Sequence, residues 1–562
     1  MSQLRFFVLT AAGELLYPIK RWSLLFPSAL NHTHTIRTDM KPHLPTALRR
    51  ALLAALAVAA LAPAAWAETF TLTQDTSYKC GEGDWSLGAA FKSEITEVSY
   101  TFTSNPENKY SLSFSGGTDG VFCDYSGSGS FDYLTFTQLN GLSFSGNEAP
   151  STAGLIRSSL GTITLTDNKG YITFSNNKSG LYGGAISMRS SSGDITLSKN
   201  SGAITFSGNT AGSWGGAIHS NSTKQALSFV NNDSVLFQGN VANSADPTSI
   251  QLQGLFLRNT NGRGSFSAPK EGSITFYDSI YVVGTVELNQ SFDDDGDADT
   301  EAIAQTGTIT FSGATAEDDL KAHLYANNMQ LSEEQLANAL AASCTSEIRG
   351  TTTLYAGTLE VVDGAVLTGG DKINSSGASV EDSYANGGLE LAEDSAATLY
   401  LRGGSIDKEV TLGETSQLKA EGENNNITAL TVDEGASLTV SAYEQEGKLT
   451  VAEELTIADE LVLNGTATVA EGAMITLGSS TTLASAISND GTVALAGEIT
   501  LNGFTKETVY TYSAGSNSGY RTTSEGYAVI TGTGTTTGTA TKEGYGEGSE
   551  YKQRNIQFCI KK

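Results

Sequence analysis

Gly161–Ser187 reads GTITLTDNKGYITFSNNKSGLYGGAIS, and Gly193–His219 reads GDITLSKNSGAITFSGNTAGSWGGAIH. At an offset of 32 residues the two stretches agree at 16 of 27 positions, mostly Ile, Leu, Phe, Asn and Gly. Self-similarity at a fixed period marks a solenoid, in which each repeat buries its apolar face only against its neighbours. Within one unit Ile163-Thr164-Leu165, Ile172-Thr173-Phe174 and Gly184-Ala185-Ile186 form three short strand-like runs separated by Asn, Gly and Ser turns. Three strands per turn is the pattern of an all-β, right-handed parallel β-helix.

A Phe-x-x-Asn element recurs at Phe144/Asn147, Phe174/Asn177, Phe206/Asn209, Phe229/Asn232, Phe237/Asn240 and Phe256/Asn259. The phenylalanines are expected to stack coil upon coil inside. Each asparagine falls where the chain turns, able to bond backbone groups or the asparagine of the next coil. Gly183-Gly184 and Gly215-Gly216 supply corners of positive φ, and Ala185-Ile186 and Ala217-Ile218 return the chain to the core. At about 4.8 Å per coil and roughly 25–32 residues each, the mature chain is expected to make a rod on the order of 75–95 Å long.

The repeats sit within a longer plan. Met40-Lys41 opens a basic stretch containing Arg49 and Arg50, followed by the apolar run Ala51–Ala62 and the small–any–small pattern Ala65-Trp66-Ala67. This is the pattern of a secretory signal peptide over residues 40–67, with cleavage expected after Ala67. Residues 1–39 fit no targeting pattern. They read as an upstream extension with Met40 the initiator, a long n-region being the alternative. Residues 68–140 read as an N-terminal cap with the first coils, and 141–260 as the repeat helix. Residues 261–371 form a middle segment with a helical insertion around 315–346, where Leu331, Leu336 and Leu340 share a face. Ser332 and Gln335 make a capping box there. Residues 372–505 resume short strand runs, and 506–562, rich in Thr, Gly and Tyr, read as a cap or tail.

Charge narrows the partners. The chain carries a formal charge of −28, and removal of residues 1–67 takes away seven Lys/Arg and two Asp/Glu, leaving −33. A nucleic-acid partner is disfavoured because phosphate recognition needs a basic surface, and an anionic membrane on the same grounds. The apolar run is too short for a membrane span, so no integral span is expected in the mature chain. Of the four cysteines, Cys80 and Cys123 are a candidate disulfide in an oxidising compartment, and Cys344 with Cys559 is a weaker pairing. Asp293, Asp295, Asp297 and Asp299 lie in an acidic turn that resembles a calcium loop, but its glycine is fourth where an EF-hand needs it sixth. A solvated loop is the plainer reading; beyond Ca²⁺ there, no cofactor is expected.

Parallel β-helices also house polysaccharide lyases and hydrolases, which use paired carboxylates on one face. Asp167, Asp194, Asp233 and Asp246 lie in the repeat region without sharing a repeat position; Asp167 aligns with Lys199. Only His219 and His323 follow the signal segment, and Arg189 stands alone. The expectation is therefore a non-catalytic protein, with a carbohydrate-active enzyme as the alternative. Tyr182 and Trp214 hold equivalent places before their Gly-Gly corners, as sugar-stacking platforms or as clamps over the bend.

The paired Gly-Gly-Ala-Ile motifs and the Phe-x-x-Asn series resemble the polymorphic outer-membrane proteins of chlamydiae, which are autotransporter-type surface proteins. The resemblance extends through Ile274–Asp278, Thr308–Gly313, a short helix and Thr353–Val361, covering about residues 140–405. It implies a β-helical passenger displayed at the cell surface or outer membrane and adhering to host or neighbouring-cell glycans or proteins. By that analogy Phe144, Asn147, Phe174, Asn177, Phe206, Asn209, Phe237, Asn240, Gly183–Ile186 and Gly215–Ile218 are candidate binding elements, although stacking alone also calls for them. The family's C-terminal β-barrel is not visible: Gly435–Gly503 is poor in aromatics, and the last residues, Gln557–Lys562, end in two lysines.

Overall fold

The computed structural model describes residues between 67 and 538. The longer stretches outside the description are 80–97, 105–109, 117–121, 124–130, 150–155, 291–304, 370–386, 442–452, 502–506 and 514–519, besides shorter runs and single positions. The described residues belong to one compact unit, Ala64–Lys562. The signal segment up to residue 66, Cys80, Cys559 and the acidic turn 293–299 lie outside them, so neither the Cys80–Cys123 pairing nor a calcium site at Asp293, Asp295, Asp297 and Asp299 is described.

Strict alternation builds the strands. In Thr162–Thr166 the side chains of Ile163 and Leu165 are fully buried while the three threonines face outward, half-covered by their neighbours. One coil runs through a first face (Thr162–Thr166), a second (Ile172–Ser175), a two-residue step (Lys178–Ser179) and a third (Ile186–Met188). The next coil repeats this in parallel and in register: Ile163 faces Ile195, Phe174 faces Phe206 and Ile186 faces Ile218. Parallel neighbours joined by such crossovers wind right-handed. The result is a right-handed parallel β-helix. Its second-face ladder holds 15 strands, from Thr76–Lys79 to Ile530–Thr531, which is about 67 Å at roughly 4.8 Å per rung.

The interior is one continuous apolar column. Along the second face Phe114, Phe144, Phe174, Phe206, Phe237, Phe276 and Phe311 stack, with consecutive ring centroids 4.7–5.2 Å apart. The first four Phe-x-x-Asn phenylalanines of that face behave as the spacing predicts. Phe229 and Phe256 do not join them. Phe229 stands on the first face opposite Leu197 and Phe266, and Phe256 points outward on the third.

Two helices, α1 (Ala316–Ala326) and α2 (Glu333–Cys344), leave the shaft between second- and third-face strands. The Ser332–Gln335 capping box forms as expected. Leu320 and Leu324 of α1 and Ala339 of α2 bury Val241, Ile250 and Leu252, making a small second core. Leu331, Leu336 and Leu340 pack partly buried at its rim.

Beyond residue 405 the coil narrows. Strands of the third and first faces fuse into single long strands, Ser405–Leu412, Asn425–Val432 and Glu453–Leu463. The first half of Ser405–Leu412 pairs with Val366–Thr368 and the second half with Leu389–Leu391. Register shifts between Ile406 and Glu409 and between Ile427 and Ala429 mark the missing corner. Lys408 falls in that bulge and turns inward, its Nζ donating to Ile348 O and Thr352 Oγ1 at 3.2 Å each. Burial drives its pKa down to about 7. An antiparallel hairpin, Glu507–Ser513 with Tyr520–Gly526, then precedes two last ladder strands, Ile530–Thr531 and Thr535–Gly538.

Candidate binding surface

Each turn after a second-face strand needs one residue in the left-handed region, supplied by Gly146, Asn176, Gly208 and Gly239. The next residue is the motif asparagine, whose side chain this turn aims back into the wall. Asn147 Nδ2 donates to Asn177 Oδ1 (2.9 Å), Asn177 to Asn209 (2.9 Å) and Asn209 to Asn240 (2.8 Å). Each Nδ2 also donates to a phenylalanine carbonyl of the preceding coil: Phe114, Phe144, Phe174 and Phe206. The ladder ends on a carboxylate, with Asn240 Nδ2 2.6 Å from Asp278 Oδ2.

A second ladder runs through Asn168, Asn200 and Asn232 at the corner between first and second faces. The identical positions Asn168 and Asn200 in the two repeats carry that signal in the sequence, outside the Phe-x-x-Asn pattern. Asn232 therefore belongs to this second ladder, and Asn259 to neither. Asn209→Ala is expected to cost about 2–4 kcal/mol, because it strips Asn177 N–H of its acceptor and Phe174 O of a donor. Thermal melting of the variant checks this.

The Gly-Gly-Ala-Ile corners are equally internal. Gly183 and Gly215 have φ of +55° and +65°. A Cβ on Gly184 would lie 2.3 Å from Gly216 O, and one on Gly216 2.5 Å from Val241 N. Ala185, Ile186, Ala217 and Ile218 are fully buried, as are Phe144, Phe174, Phe206, Phe237 and their asparagines. The structure thus brings all sixteen candidate binding residues into the wall and core of the shaft.

The candidate enzyme residues stay in separate settings. Asp194 accepts from Ser222 and burial raises its pKa. Asp246 closes a turn by accepting from Thr248 and Ser249, which lowers its pKa. Asp167 and Lys199 both hold the left-handed corner position, at φ +55°. Among the described residues no three His, Cys, Asp or Glu side chains gather to hold a metal ion. Cys344, half-buried at the end of α2, is a free thiol whose pKa burial raises.

The outward side of the third face is different in kind. Its register places Ser187, His219, Phe256, Tyr281 and Glu347 in one column. Tyr182 and Trp214 fold over from the corners, so that the rings form a single outer stack. Centroid distances are 4.8 Å for Tyr182–His219, 5.5 Å for Tyr182–Trp214, 4.9 Å for Trp214–Phe256 and 4.7 Å for Phe256–Tyr281. The planes lie within 21° of one another, so each ring covers its neighbour's face; Tyr182, Trp214 and Tyr281 are half-buried, and His219 and Phe256 are buried between them. Ring faces are therefore spent on each other, which favours the clamp over the sugar platform for Tyr182 and Trp214.

His219 sits in this stack 3% exposed, with neither ring nitrogen hydrogen-bonded. Burial first, then the positive charges of Arg258 and Arg189, hold its pKa down at about 3. Ser187 Oγ beside it is also buried without a partner.

Two residues along, the same strands carry a second outward column. Asn221 N–H donates to Met188 O, Arg258 N–H to Ser220 O, Val283 N–H to Leu257 O and Arg349 N–H to Val282 O. This aligns Arg189, Asn221, Arg258, Val283 and Arg349 on successive rungs. The Arg258 guanidinium lies 5.5 Å from the Trp214 ring and Arg349 5.3 Å from Tyr281. Arg349 is buried and paired with Glu347, whereas Arg189 and Arg258 are exposed and form no ion pair with a described residue.

Comparison with known proteins agrees with the repeat reading over a short span. The model described as Chlamydia polymorphic membrane protein (Chlamydia_PMP) repeat matches residues 171–188 and 203–221. No curated protein and no solved structure matches the chain. Both matched segments begin on or beside a second-face strand and end in, or one residue past, the third-face strand of their coil, so each matched repeat spans the second and third faces of one coil.

Proposed function

We propose that the chain is exported, cleaved after Ala67 and displayed at the cell surface as a non-catalytic adhesin for host or neighbouring-cell glycans or proteins. The observation that carries this reading is the contrast between the two sides of the wall. The repeated Phe, Asn, Gly and Ile positions are consumed by coil stacking. The third face turns outward a ring ladder and two arginines without carboxylate partners among the described residues, on a chain of charge −28. The matched repeats lend support by family analogy. No helix among the described residues is long and apolar enough to cross a membrane, and that leaves a β-barrel open. The enzyme reading gains no observation in its favour.

Protease shaving of intact cells, followed by peptide identification, tests display. Peptides from residues 141–441 released without lysis are the expected result; recovery of the mature chain from the periplasm alone would refute it. Binding of labelled protein 68–562 to target cells, saturable and competed by unlabelled protein, tests adhesion.

A further inference from the structure

The arginine column repeats with a period that selects a class of ligand. Arg189 and Arg258 stand two rungs apart with Asn221 between them, a separation of roughly 9.6 Å along the shaft. Beside them the half-buried Tyr182, Trp214 and Tyr281, their faces stacked, leave ring edges accessible, and the edge of an aromatic ring carries the positive side of its quadrupole. The strip therefore offers positive character, on a molecule whose acids outnumber its bases 61 to 33. In such a chain an exposed arginine has abundant carboxylates to pair with, and Arg263 is so matched, with Glu287.

We propose that this strip recognises an acidic polysaccharide bearing one carboxylate or sulfate per disaccharide, laid along the shaft with successive charges on Arg189 and Arg258. The spacing of those arginines is close to the charge repeat of such a polymer. Guanidinium forks suit both anions, because two parallel N–H groups meet two oxygens. The net negative charge of the chain does not forbid this. At physiological salt a charge farther than about 8 Å is largely screened. A polymer with one charge per disaccharide also meets far less repulsion than DNA, with one per ~1.7 Å. The same arithmetic keeps nucleic acid off the surface. The inference rests on the adhesin reading and narrows its partner.

The test uses residues 68–562 and immobilised oligosaccharides: a hyaluronan octasaccharide for the carboxylate, a keratan sulfate octasaccharide for the sulfate, a chitin octasaccharide as the neutral probe and a polyglutamate peptide as the competing acidic class. Binding of at least one anionic sugar is expected, weakening with added NaCl and falling at least tenfold in R189A/R258A. In R189K/R258K, which keeps the charge, the loss is expected to be smaller. Near-UV circular dichroism of the ring stack reports whether each variant is folded. Equal binding of the chitin octasaccharide or of polyglutamate, no binding of either anionic sugar, or full binding by folded R189A/R258A would overturn the proposal. Attachment to target cells separates the two readings: attachment undiminished in R189A/R258A defeats this inference alone, and absence of attachment by the wild type defeats the adhesin reading.

Discussion

Phe206→Ala is expected to lower the stability of the central coils by about 3–5 kcal/mol, the usual cost of emptying a fully buried aromatic site. The Phe206 ring lies 4.9 Å from Phe174 and 4.7 Å from Phe237, nearly parallel to both. Truncation thus removes two stacking partners at once and leaves a gap on the axis of the shaft. The main chain on either side is pinned by the asparagine ladder and by in-register parallel pairing. The gap cannot close by a local collapse. Phe206→Leu keeps most of the volume and is expected to cost about 1–2 kcal/mol.

The loss should also stay local, because each coil touches only its neighbours. Amide exchange is expected to quicken on the strands Ile172–Ser175, Ala203–Ser207 and Ser234–Gln238. Protection in Gln417–Glu421, five rungs beyond Ser234–Gln238 on the same face, is expected to be unchanged. Uniform loss of protection over the whole shaft would show that the coils do not behave as a linear array.

How far the fold was legible depends on what each residue does. The 32-residue period specified strand order, register and the phenylalanine stack, because stacking forces the same residue types to the same place in each coil. Asn177 and Asn209 were readable as a ladder for the same reason. Phe229 and Phe256 fit the four-residue pattern yet occupy other faces, since a Phe-x-x-Asn string does not say which corner it turns. The narrowing after residue 405 was not legible: the short apolar runs look alike whether a corner separates them or a bulge such as Lys408 joins them. The outer ring ladder was half seen. Tyr182 and Trp214 repeat, but Phe256 and Tyr281 come from coils of different length, where no sequence period aligns them. The alternate-rung arginines needed the register itself. The binding elements suggested by family analogy are buried as building elements of the wall, which is what repetition of apolar and glycine positions demands.

The asparagine ladder ends on an acid, and that has a measurable consequence. From Asn147 to Asn240 the motif is Phe-x-x-Asn, but the next coil reads Phe276-Tyr277-Asp278, one residue shorter. Asp278 Oδ2 still accepts from Asn240 N–H and Nδ2. Its Oδ1, which stands where each asparagine has its amide nitrogen, is buried without a partner. Full burial outweighs the donated hydrogen bonds and raises the carboxyl pKa to about 7. A raised carboxyl binds its proton more tightly folded than unfolded, so its contribution is complete below about pH 4 and is lost as pH rises through 7. His219 acts with the opposite sign. Its pKa is depressed to about 3, so its contribution is present above pH 6.5 and is lost as pH falls toward 3. Each displacement spans about three pH units, worth on the order of 4 kcal/mol at most, and between pH 4 and 6.5 the two slopes oppose each other. The wild-type shaft is therefore expected to melt at nearly constant temperature across that window; above it Lys408, held down at about 7 by burial, gives up its proton in the fold before it does unfolded and so adds stability as pH rises. Asp278→Asn keeps an oxygen for Asn240 and removes the acid, so its melting temperature should rise with pH from 4 to 6.5. His219→Phe extends the ring stack and removes the base, so its melting temperature should fall with pH from 4 to 6.5. Melting curves for the three proteins at half-unit intervals distinguish these slopes. Parallel pH profiles for all three would mean that neither buried group titrates with folding.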